Sequence, residues 1–260
     1  MILVDYFGKF IRGERTMLER FETEHYVFHF PRNSLAAKDI RSIAETQEKG
    51  YVKICGLLQI SFMHKISYWL YDSPQLIGDV FYDGIPCNGL SIVDDLDENI
   101  GRRSSLTGME EDSFAVETYS VHAVYEEQIK CIGEHEDTHI ISAQLCNPES
   151  AFLAEGLAMF MDGKWWGTDN KAWAVKDAQE GTLILTDEAI VLSEDDFYDL
   201  EWVKTYPIAG AWTEYVIDVY GIDKYKEFYC CKEYSESAKA VFGRTLQELH
   251  QEFVRWLERK

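Results

Sequence analysis

His135 and His139 stand four residues apart with Glu136 beside the first, reading H-E-x-x-H. In a helix, four residues advance the chain by about 6 Å and a little over one turn, which puts both imidazoles on one face. Such a pair can converge on one ion, and it suits zinc. Glu136, one residue round the helix, can then reach a water on that ion without being consumed as a ligand. The plain alternative is two surface histidines on a helix. With seven histidines in 260 residues, chance yields the pattern in only about one or two per hundred chains of this composition.

A catalytic zinc takes three protein ligands and leaves its fourth position to water. Glu155 is the candidate third ligand. It lies within Ala151–Phe160 (AFLAEGLAMF), flanked by Phe152, Leu153, Leu157, Ala158 and Met159. Pro148 or Ser150, in the preceding turn, can start that helix. A carboxylate among apolar neighbours is costly to desolvate unless it meets a cation, so ligation explains the placement better than a stray exposed charge does.

Around this motif the chain has 46% hydrophobic and 27% charged residues, near globular averages, so it can bury a core without staples. No apolar run reaches the roughly 18 residues of a membrane span, and no membrane role is expected. Lys and Arg number 25 against 46 Asp and Glu, a formal charge of -21. That is the wrong sign for a phosphate backbone, so nucleic acid is excluded as a partner. The opening MILVDYFGKFIRGERT lacks the parts of a signal peptide. Cys55, Cys87, Cys131, Cys146, Cys230 and Cys231 form no C-x-x-C pair. Free thiols, and hence a cytoplasmic location, are expected.

Apolar residues at three- and four-residue spacing between Leu3 and Phe21 predict an amphipathic helix over 1–21. His25–Phe30 and Lys65–Tyr71 read as strands. Between them, Asn33 or Ser34 can cap a helix running to about Leu58 along Leu35, Ile40, Ile43, Ala44, Tyr51 and Ile54. Short apolar runs fill Val80–Val93, an acidic loop follows over Asp94–Asp112, and a strand over Val116–Val121. Beyond Ala123 helices are expected over Val124–Leu145, Ser150–Met161, Tyr206–Tyr220 and Leu246–Leu257. The chain thus divides into an α/β front, 22–123, and a helical rear, 124–260.

H-E-x-x-H followed by Leu153-Ala154-Glu155-Gly156-Leu157-Ala158 resembles the gluzincin branch of zinc metallopeptidases. The likeness extends more weakly to Tyr206–Trp212, Tyr215–Gly221 and Val241–Gly243, which look like segments of bacterial peptidase-MA-like proteins. The resemblance implies an α+β, zincin-like fold over 22–260: a small mixed sheet with helices, then a mainly helical C-terminal lobe, with the active site between them. It implies one zinc ion held by His135, His139 and Glu155, and Glu136 as general base and then general acid in peptide-bond hydrolysis. A peptide or protein is then the substrate. Tyr206 would stabilise the oxyanion, with Tyr215 and His122 as alternatives. The rival is a non-catalytic protein that keeps a metal site for structure or partner binding, and intact Glu136 argues against it.

Two features depart from the family pattern. Asp137 stands where an apolar residue is usual, and Glu134 also precedes the first ligand. These acids can orient a bound imidazole, raise the pKa of Glu136 or face solvent, and solvent is the reading preferred here. The His139-to-Glu155 separation is also short for a gluzincin, so a tight turn at Asn147-Pro148 must bring the two helices together. Trp165, Trp166 and Trp173 are expected to pack in the core, and the acidic residues to keep the surface soluble.

Overall fold

The computed structural model describes residues 18–93 and 119–259 of the chain. Its order is β1 (Leu18–Glu22), β2 (Tyr26–Pro31), α1 (Leu35–Leu58), β3 (Ile66–Tyr71), α2 (Pro74–Phe81), β4 (Gly89–Val93), β5 (Tyr119–Val124), α3 (His135–Ser142) and α4 (Ala151–Asp162). Then come β6 (Lys164–Trp165), β7 (Thr168–Asp169), α5 (Asn170–Glu180), α6 (Thr186–Ala189), α7 (Glu194–Tyr198), α8 (Trp202–Tyr220), α9 (Ile222–Tyr229), α10 (Tyr234–Phe242) and α11 (Leu246–Leu257). The fold is mixed α+β. Packing groups the described residues up to Cys55 with Ser61–Ile140, and Gly56–Ile60 with Ile141 onwards. The expected division after residue 123 therefore falls after Ile140.

The first unit holds a five-stranded sheet in the order β1-β2-β3-β5-β4. β2, β3 and β5 run parallel, while β1 and β4 pair antiparallel at the two edges. Side chains alternate across the sheet. One face carries Tyr26, Phe28, Tyr68 and Val121, all buried. The other aligns His29, Trp69 and His122 in register, with His29 stacked on Trp69 at 4.1 Å and Trp69 on His122 at 6.1 Å. Helix α1 starts where the sequence indicates, with Ser34 Oγ accepting from the Ala37 N–H at 3.1 Å. Its buried stripe is Ala36, Ile43, Ala44, Gln47, Tyr51, Ile54 and Leu58.

Two sequence expectations are corrected here. Leu18–Glu22 is a strand with alternating exposure, not the tail of a helix, and Phe21 pairs with Phe28 across it. The rest of the proposed N-terminal helix, the acidic loop and residues 116–118 lie outside the described residues. The helix expected from Val124 begins only at His135. Val121 and Val124 are absorbed into β5, a Tyr125–Lys130 bridge turns the chain, and Gly133 adopts φ 142° before the helix starts. Pro74 opens α2, where its missing N–H costs nothing.

The second unit is helical. α4 and α8 pack closely at Gly156, where a Cβ would come within 2.7 Å of Thr213 Oγ1 and 2.9 Å of the Ala209 carbonyl oxygen. Phe152 meets Trp212 edge-on at 5.8 Å beside this crossing. A capping box of Thr245 and Glu248 opens α11. Cys146 and Cys230 form a disulfide, which corrects the reading of all six cysteines as thiols and removes its support for a cytoplasmic location. Trp166 is 72% exposed, not core. No helix among the described residues is long and apolar enough to cross a membrane.

Candidate metal centre

Helix α3 sets His135 and His139 on one face with ring centroids 5.1 Å apart. One donor atom from each, and one carboxylate oxygen of Glu155, all lie within 4.8 Å of one another. The two histidines are half-buried and Glu155 is buried. Two imidazoles and a carboxylate form a donor set that can hold a metal ion and leave a position open. These are the three residues the sequence singles out as donors.

Glu155 is presented by a well-anchored helix. Ser150 caps α4, its hydroxyl accepting from the Leu153 N–H. Upstream, the Tyr234 hydroxyl accepts from the N–H groups of Glu149 and Ser150 at 3.1 and 3.2 Å. The Tyr198 hydroxyl on α7 donates to Glu155 Oε1 at 2.9 Å. Sequence reasoning missed Tyr198, whose contact joins residues 43 positions apart.

α3 is held by a buried acid and its donors. Asp137 is fully buried, which corrects the expectation that it faces solvent. The Tyr26 hydroxyl donates to its Oδ2, and Gln47 Nε2 donates to the same oxygen at 2.8 Å. Gln47 also clasps Gly133 just before the helix, Nε2 to the carbonyl and Oε1 from the N–H, both at 2.8 Å. Burial pushes the Asp137 carboxyl well above the usual carboxylate range, and the nearby Glu136 and Glu134 charges add to this. It likewise raises the Tyr26 phenol. Glu134 is ion-paired to Lys53 at 3.0 Å. The buried acid at 137 is thus met by two specific donors. Gln47 offered a signal, a polar residue on the buried stripe of α1.

The Glu136 side chain lies over the start of edge strand β4. A Cβ on Gly89 would come within 2.9 Å of Glu136 Oε1, so only glycine leaves the carboxylate its place there. Tyr206 sits in the second turn of α8 rather than at its start, its ring against Trp165 at 5.4 Å and Phe197 at 6.3 Å. The two alternatives are set aside. Tyr215 gives its hydroxyl to Glu252 at 3.1 Å. His122 points to the sheet face opposite Tyr26, against Phe81 at 4.4 Å. Both its ring nitrogens lack a hydrogen-bond partner among the described residues, and burial lowers its pKa to about 3.

No protein-family model matches this chain, and no curated protein matches it.

Proposed function

We propose that this chain is a gluzincin-type zinc metallopeptidase with a zincin-like fold, in which His135, His139 and Glu155 hold one zinc ion. The observation that carries this reading is the convergence of those three donors, with Glu136 outside the donor set and set over Gly89. A bound zinc supplies Lewis acidity and an activated water of near-neutral pKa. The remaining work falls to side chains. Glu136 accepts the proton of the attacking water at its carboxylate and delivers it to the leaving amine. The Tyr206 hydroxyl, its ring held by Trp165 and Phe197, donates to the oxyanion that develops on the scissile carbonyl. The substrate is a peptide or protein.

The test is cleavage of a peptide library by zinc-loaded protein beside Glu136→Gln. The wild type cleaves, and the variant loses at least about a hundredfold in rate while retaining zinc. Full activity in Glu136→Gln, or no cleavage by zinc-loaded wild type, contradicts the reading.

A further inference from the structure

We infer that Tyr198 is a positioning residue for Glu155 and thereby sets how tightly the site holds its metal; the inference rests on the zinc reading above. The contact itself is a hydroxyl donating to a carboxylate oxygen at 2.9 Å, and hydrogen bonds to an ionised acceptor are among the stronger kinds. The local architecture aims it. Ser193 caps α7, its Oγ accepting from the Asp196 N–H at 3.2 Å and donating to Asp196 Oδ2 at 2.6 Å. Phe197 is buried and meets Phe152 of α4 edge-on at 6.3 Å.

Phe152 and Glu155 are three residues apart on α4 and therefore share a face. Their partners, Phe197 and Tyr198, are consecutive on α7. Two adjoining contacts, one apolar and one polar, thus join the same pair of helices. The apolar one fixes α7 against α4, and the polar one fixes the rotation of the Glu155 carboxylate. A glutamate must give up side-chain freedom to present an oxygen to an ion. A donor that already restrains the carboxylate lowers that cost, which is how outer partners of metal ligands raise affinity. Tyr198 is itself 45% exposed, so its hydroxyl can be removed without emptying the core.

The experiment is a zinc competition titration against a chromogenic chelator, with apo wild type and Tyr198→Phe. The visible spectrum of the cobalt(II) form and the melting temperature of each apo protein are recorded alongside. Wild type binds one zinc, and Tyr198→Phe binds about ten- to a hundredfold more weakly, with an altered cobalt spectrum and an apo melting temperature within a few degrees of wild type. Equal affinity and an identical spectrum overturn the role of Tyr198 while leaving the metal site standing. A large drop in apo melting temperature makes the contact structural and also overturns it. A wild type that binds no zinc overturns both this inference and the reading it rests on.

Discussion

The two helices that carry the metal donors are secured in opposite ways. α3, with His135 and His139, is fixed by a buried polar group, Asp137, bonded to Tyr26 and Gln47. α4, with Glu155, is fixed by close packing, with Gly156 against Ala209 and Thr213 and Phe152 edge-on to Trp212. Packing is non-directional and supplies most of the stability. Hydrogen bonds supply direction, at the cost of burying an acid that needs every donor it has. The histidine helix, whose two rings must meet one ion, has the directional anchor. The glutamate helix has the steric anchor, and the Tyr198 hydroxyl donates to its carboxylate.

This contrast predicts different responses to substitution. Gly156→Ala is expected to be the most damaging change, because a backbone carbonyl 2.9 Å from the added Cβ cannot yield cheaply. Overpacking of this kind costs about 1–3 kcal/mol or more, and a denaturant melt should place the loss at the upper end. A near-wild-type midpoint would break the account of α4.

Acid comes next. His29 and His122 are lowered by burial to about 4 and about 3, below their unfolded value of about 6.5. The unfolded chain therefore binds protons that the fold refuses. These two histidines leave stability unaffected above about pH 6.5 and lower it as pH drops below that, by up to about 1.4 kcal/mol per unit per histidine. The loss levels off once the folded values are reached. His122→Phe should flatten this slope between about pH 6.5 and 4, and an unchanged slope contradicts the burial argument.

Tyr26→Phe removes one of the two donors to Asp137 and should cost about 1–2 kcal/mol. Combined with Asp137→Asn, its effect should be clearly non-additive, since the two share one bond. Additive losses would show that the pair does not act as a unit. Gly89→Ala is expected to change stability least, yet to lower peptide hydrolysis by about tenfold or more, because the Glu136 carboxylate must shift. Zinc affinity in that variant should stay at the wild-type value. Weaker zinc binding would place Gly89 in the support of the ligands instead.

Much of this was legible in the sequence where chemistry and periodicity are local. The stripe of α1, the strands on either side of it, the cap at Ser150 and the H-E-x-x-H spacing all sit within one or two turns of chain. What was misread depends on distant partners. Asp137 looked solvent-facing because its donors lie 111 and 90 positions away. Leu18 and Phe21 have a helical spacing, and only pairing with β2 makes them a strand. The Tyr198–Glu155 contact spans 43 positions and the Cys146–Cys230 bridge 84, and neither leaves a local signature. Val124 fits both a strand end and a helical start, and the parallel register with β3 decides for the strand.

The most direct test of the central claim is elemental analysis of protein purified without chelator, wild type beside Glu155→Ala. One zinc per chain in the wild type, lost or strongly depleted in the variant, is the predicted result. Absence of metal even after zinc is offered at neutral pH, or equal zinc in both proteins, would contradict the three-donor site.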